Sequence, residues 1–197
     1  MINKWLIILF LLLASVSSAE AQPVLSPKSD APSCFVNMDF NRAYDTKQDL
    51  EAVEALYNEI NYYRYRNSIS TCTVSERLVT YSGNWGAYMV SKHNGPNDNF
   101  YQHSKLGPLE YHIPANNTSE ILHLLYFDHR PSSIEIVNGL MYGIARTSGN
   151  VIGWTKSTGH LSCITQDIVK YFGASIYVFK MDQWYCVYGT VNFSTIE

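Results

Sequence analysis

The sequence predicts an α+β fold in which helices pack an antiparallel sheet, and three observations lead there. Apolar residues recur at three- and four-residue steps through the first part of the chain, the tail from Tyr171 is instead aromatic and β-branched, and a short turn divides that tail in two. Helices first and a terminal hairpin last is the order of an α+β arrangement.

The elements follow in chain order. Trp5 to Ala14 is an unbroken apolar run after Lys4, with small residues behind it and an A-x-A site at Ala19-Glu20-Ala21. Residues 1–21 are therefore expected to be a secretory signal peptide, too short for a comfortable membrane span. Residues 22–46 carry Pro23, Pro27 and Pro32 among polar residues and read as an extended arm tied down by Cys34. From Lys47 to Arg66, the steps between Leu50, Val53, Leu56, Tyr57, Ile60 and Tyr63 predict an amphipathic helix. Ser75 is a plausible N-cap for a second helix reaching Lys92, whose Gly83 and Gly86 should let another element approach closely. "HNGPNDNFYQH", ending at His103, is a polar loop. "SEILHLLYF", Ser119 to Phe127, is read as a strand, and "SSIEIVNGLMYGIARTSGN" as a third helix closed by Gly149. A short helical turn spans Thr155 to Ile168, and "YFGASIYVFK" and "QWYCVYGTVNF" form a hairpin about Met181-Asp182. Residues 47–197 thus read as one domain.

Composition narrows the function. Removing residues 1–21 takes away Lys4 and Glu20, so the mature charge stays at −3, and about 176 residues suit one sizeable core. A mildly acidic chain lacks the basic face needed for nucleic acid or anionic membranes, and no second long apolar run predicts a transmembrane anchor. The cluster Tyr62 to Arg66 reads as half core and half snorkelling surface. The 15 tyrosines suggest a surface or cleft rich in amphipathic rings. Four cysteines in an exported chain read as two disulfides; of the three possible pairings, Cys34–Cys72 and Cys163–Cys186 are favoured because each would staple neighbouring segments. No C-x-x-C spacing supports a cysteine metal site.

The chemistry-bearing stretch is "VIGWTKSTGH". On a helical turn it sets Trp154 and Ser157 on one face, with His160 at the helix end, where an imidazole can simply complement the helix dipole. No G-x-S-x-G or S-x-x-K motif surrounds any serine, which argues against covalent hydrolysis through Ser157. His93, His112, His123 and His129 fall in or beside loops or the strand and read as solvated or locally hydrogen-bonded. N-x-[ST] sequons occur at Asn116-Asn117-Thr118-Ser119 and at Asn192.

Asn61-x-x-Arg64, His103-Ser104, Glu120, W-x-x-S-x-x-H from Trp154 to His160 and the aromatic hairpin appear in an order that resembles the CAP superfamily of cysteine-rich secretory, antigen 5 and plant pathogenesis-related proteins, and its bacterial secreted branch most closely. The resemblance covers about residues 50–193. It implies a three-layer α/β/α sandwich and a central cleft in which His103 and His160 are the two histidines and Glu120 the glutamate of the G-E-N motif. Ser119 and Ile121 replace that motif's glycine and asparagine, so Glu110 is the alternative carboxylate, and the family's second glutamate has no counterpart.

Two imidazoles and a carboxylate in a cleft can bind a divalent metal, act as acid and base, or form an ordering network. The metal expectation is zinc or another divalent ion held weakly by His103 and His160, with Glu120 and Ser157 the candidate catalytic residues. The first functional expectation is a secreted CAP-domain binding or interaction module for a protein or lipid-like ligand, leaning away from enzyme. The alternative is a metal-assisted secreted hydrolase using a metal-bound water.

Overall fold

The structure is a computed structural model that describes residues 48–94, 101–104, 118–144 and 151–197. The expected signal peptide and arm, together with Cys34, Glu110, His112 and the sequons at Asn116 and Asn117, lie outside the described residues.

The chain runs α1 (Leu50–Arg66), β1 (Thr73–Val74), α2 (Glu76–Lys92), β2 (Thr118–Phe127), α3 (Ser133–Tyr142), a 3-10 turn (Trp154–Lys156), α4 (Thr158–Thr165), β3 (Tyr171–Met181) and β4 (Trp184–Ser194). The class is α+β. The sheet order is β1-β3-β4-β2, with β3 and β4 forming the expected hairpin, β2 antiparallel to β4, and two-residue β1 parallel to β3.

Local chemistry sets the helix ends. Asp49 Oδ1 accepts from Ala52 N–H at 3.0 Å, so α1 starts at Leu50 rather than at Lys47, and Gln48 bridges to Tyr177 instead. Ser75 caps α2 as expected. Ser132 and Glu135 form a capping box on α3, which stops at Gly143 (φ 68°) rather than at Gly149; the left-handed glycine lets its own N–H and that of Ile144 bond back to Gly139 and Asn138.

Strand alternation divides the sheet into two faces. Ile121, Leu125, Phe172, Ala174, Ile176, Val187, Val191 and Phe193 point to one side and join α1, α3, Trp154 and Ile164 in the main core. The other side receives α2, close enough that a Cβ on Gly86 would lie 2.7 Å from Ser175 Oγ and from the Tyr177 ring. Close approach is thus the reason for Gly86, whereas the corresponding position of Gly83 is open. Helices therefore cover both faces of the sheet.

Arg64 ties α1 to α4 and the residues after it. Fully buried, its guanidinium donates to the carbonyls of Ser70 (2.7 Å), Ile164 (2.6 Å), Gln166 (3.1 Å) and Val169 (3.1 Å). Asn61 clasps the Cys72 backbone in both directions, donating from Nδ2 at 3.0 Å and accepting at Oδ1 at 2.8 Å.

The favoured Cys163–Cys186 bridge is not formed. Cys163 sits on α4 with its thiol turned to Gly159 O, while Cys186 is buried on the α2 side of β4, so the sheet separates the two sulfurs. Cys72 is a buried free thiol beside Val169 O, and its expected partner Cys34 is among the undescribed residues.

Candidate functional site

The site forms at the edge of β2, the last strand among the described residues, where the segments on either side of the sheet meet. The first segment, Tyr101 to Ser104, follows the loop after α2. It is held by Trp85 Nε1, which donates to Gln102 O at 3.2 Å, and by a hydrogen bond between the Tyr81 and Ser104 hydroxyls. The second, Val151 to Lys156, docks on the end of α3, where Thr155 Oγ1 donates to Met141 O at 2.6 Å. Both reach the same backbone atom: the Tyr101 hydroxyl (2.9 Å) and Trp154 Nε1 (3.2 Å) each donate to Leu122 O.

Glu120 lies on β2 two residues before that carbonyl. Its Oε1 is 2.9 Å from His103 Nδ1 and accepts from Ser104 N–H at 3.0 Å. The side chain of Glu120 is 10% exposed and that of His103 57%. The hydrogen bond to the carboxylate raises the His103 pKa above its ordinary value, outweighing partial burial. Glu120 also fixes the tautomer: with Nδ1–H donated to the carboxylate, Nε2 carries the lone pair when the ring is neutral.

His160 completes the group, within electrostatic reach of His103. It is the third residue of α4, because the chain breaks at Ser157 (φ −99°, ψ 117°) between the 3-10 turn and the helix. It therefore begins a helix rather than ending one, and the dipole-capping role available to a C-terminal histidine does not apply. Burial and the charge of His103 lower its pKa, and its Nδ1 is buried without a hydrogen-bond partner. His123, on the other face of β2, donates from Nε2 to Ile152 O at 3.1 Å; burial is the main cause of its lowered pKa, and His160 adds to it.

Of the sequence-predicted residues, His103 and Glu120 are in direct contact, and His160 lies within electrostatic reach of His103. Ser157 occupies the N-cap position of α4 without a side-chain capping bond, and no hydrogen bond joins its hydroxyl to either imidazole. Among the described residues it has no base that would activate a nucleophile. Among the described residues, no group of three or more His, Cys, Asp or Glu side chains is placed to hold a metal ion.

His93 departs from the solvated or locally hydrogen-bonded reading, whereas His129 keeps to it. His93, the C-cap of α2, is fully buried; its Nδ1 lies 2.8 Å from the Tyr188 hydroxyl, its Nε2 3.8 Å from Cys186 Sγ, and the rings of Phe179 and Tyr188 meet it edge-on. His129 bridges Asp128 (2.7 Å) and Glu135 (3.1 Å) at the corner between β2 and α3. Asn192 is fully buried and donates to Ser82 Oγ, so its sequon cannot be glycosylated in the folded chain. Sequence reading missed Tyr81, Trp85 and Tyr101, which hold the His103 segment. Their spacing on and after α2 resembles that of ordinary core residues, so nothing in the pattern sets them apart.

Compared with known proteins, the chain matches no family profile and no curated protein. Among solved structures it is similar in fold to an outer surface protein from Borrelia burgdorferi, at 16% identity and a TM-score of 0.50, over 76% of this chain and 96% of that one. At that identity the likeness concerns the fold alone. No helix among the described residues is long and apolar enough to cross a membrane.

Proposed function

We propose that this chain is a secreted binding module of the CAP type, a three-layer α/β/α sandwich whose site is the cleft between His103, Glu120 and His160. The observation that carries the reading is the contact between His103 and Glu120. Two residues 17 apart in sequence, each on a separately anchored segment, meet in one charge-assisted hydrogen bond within electrostatic reach of His160. The reading takes residues 1–21 as a signal peptide and places the mature chain outside the cytoplasm. A protein or lipid-like ligand would meet the exposed face of His103 and the exposed ring of Tyr101.

A resident zinc ion does not fit this donor set. Catalytic zinc takes three protein ligands and structural zinc four. The described residues offer the Nε2 of His103 and the unpartnered Nδ1 of His160, with Glu120 engaged behind His103 rather than beside it. An ion held by two imidazoles is weak and exchangeable, so no catalytic step is assigned to it. Binding rather than turnover is also favoured by Ser157, which has no base among the described residues.

The test is zinc chloride titrated by calorimetry into the metal-stripped mature protein, alongside His103→Ala and His160→Ala. Weak one-to-one binding lost in both variants places the two imidazoles in one cleft. Absence of heat in the wild type leaves the histidines as an ordering network and removes the metal from the proposal. Tight binding that survives either variant would refute the pairing of these two residues.

A further inference from the structure

Behind Glu120 the sheet carries a second polar group that the cleft does not use. On the α2-facing side, register places Glu120, Asn192 and Gly173 in one row across β2, β4 and β3, and Leu122, Thr190 and Ser175 in the next. Side chains directly opposite one another on neighbouring strands have Cβ atoms about 5 Å apart. α2 lies over these rows through Ser82, whose hydroxyl donates to Gly173 O at 2.8 Å while Ser175 Oγ donates to Ser82 O at 2.7 Å. The next two rows are Leu124, Tyr188, Tyr177 and Tyr126, Cys186, Phe179, so the buried face has a polar half and an aromatic half.

The hydrogen bonds of the polar half do not close. Glu120 Oε2, Asn192 Oδ1 and Thr190 Oγ1 are all buried and have no hydrogen-bond partner among the described residues, and Thr190 and Asn192 are fully buried. Buried polar groups without partners are rare, and three on adjoining positions are not independent accidents. The arrangement also cannot repair itself. Asn192 Nδ2 donates to Ser82 Oγ at 2.9 Å, and Ser82 already gives its one hydrogen to Gly173. Turning the amide over would set Oδ1 against an oxygen with no hydrogen to spare. Glu120 Oε2 and Asn192 Oδ1 only accept, so their partner must donate at least twice, whereas Thr190 can give or receive.

We infer that Glu120, Asn192 and Thr190 form a buried site for one small double hydrogen-bond donor, a water molecule or an ammonium nitrogen, seated between β2, β4 and α2. A water gives its two hydrogens to Glu120 and Asn192 and receives that of Thr190; an ammonium ion donates to all three and is attracted by the carboxylate. The occupant holds Oε2 so that Oε1 stays turned to His103 and Ser104. The inference stands apart from ligand binding in front of Glu120, because Thr190 hydrogen-bonds neither His103 nor His160.

Thr190→Val tests it in the full mature chain, since valine keeps the branched shape and removes only the hydroxyl. With an occupant, the variant loses a hydrogen bond and its melting temperature falls while its folded spectrum is unchanged. Without one, the variant discards an unsatisfied buried hydroxyl and melts higher than the wild type, which overturns the inference. Two further arms identify the occupant. A cross-relaxation peak between water and the Thr190 methyl assigns it to solvent. No such peak, but a higher melting temperature in ammonium chloride than in equal sodium chloride, assigns it to ammonium. Neither response, even with a destabilised variant, also overturns it.

Discussion

Replacing Arg64 by methionine should destabilise the fold more than any exposed substitution. Methionine fills a similar volume but supplies no donor, so the carbonyls of Ser70, Ile164, Gln166 and Val169 lose their shared partner. Each buried acceptor left unsatisfied costs roughly 1–3 kcal/mol, and four of them set a gross loss near 4–12 kcal/mol. Part of that returns, because the wild type carries the several kcal/mol needed to desolvate a guanidinium that no carboxylate pairs, and because freed carbonyls relax towards water. The expected net loss is about 3–5 kcal/mol, the range for breaking a buried charged network. Arg64→Lys should fall between, since an ammonium has three donors from one point and cannot span four acceptors. Urea denaturation at constant m value reads the loss directly, and the melting temperature should drop by roughly 2–4 °C per kcal/mol for a chain of this size. A methionine variant within about 1 kcal/mol of wild type would refute the view that Arg64 ties α1 to α4 and the residues after it.

Both ring nitrogens of His129 face carboxylates, and only imidazolium can donate to both, so its pKa is raised chiefly by Asp128 and then by Glu135. A raised folded-state histidine stabilises below the ordinary imidazole value near 6.5 and loses that contribution as pH climbs through the folded value. Melting temperatures should therefore decline over that alkaline-going window and decline less in His129→Gln. Alkylation of the native chain followed by mass spectrometry should label the half-buried Cys163 without prior reduction and spare Cys72 and Cys186, the latter thiol pushed up to about 11 mainly by burial. Protection of Cys163 until a reductant is added would restore the disulfide. Gly86→Ala should cost roughly 1–3 kcal/mol by pushing α2 off Ser175 and Tyr177, and a neutral result would mean the helix shifts freely. In a histidine titration by magnetic resonance, the raised His103 value should return towards the ordinary one in Glu120→Gln, with His160 remaining low.

The helices and the hairpin were legible because their signals are local. The caps and period changes lie within a few residues of the ends they determine, as Asp49, Ser75 and the turn at Asp182 do. Elements defined by a distant partner were not. Two-residue β1 exists because Thr73 and Val74 meet Tyr171 and Phe172, almost a hundred residues on, and no periodicity can show in two residues. The end of α3 at Gly143 was missed since Gly149 offered an equally good stop signal further along. Pairing Cys163 with Cys186 relied on closeness in sequence, which a sheet between the two thiols makes irrelevant. At the site, residue types and order brought His103, Glu120 and His160 forward, while burial decided the rest. His93 looks polar in sequence and is enclosed by aromatic rings, and the polar patch behind Glu120 is visible only once strand register is known.

The two donors on Leu122 O bear on how crowded copies of this chain behave. Among the described residues β2 is the last strand of the sheet, and an edge strand offers outward amides and carbonyls as a template on which a strand of another molecule could add. Tyr101 and Trp154 occupy the acceptor at Leu122 from two directions, so an incoming backbone must displace both to pair there. The same residues that build the site thus act as a guard against strand-by-strand polymerisation. A substitution such as Trp154→Ala should therefore show itself in fibril-sensitive dye fluorescence as well as in the cleft.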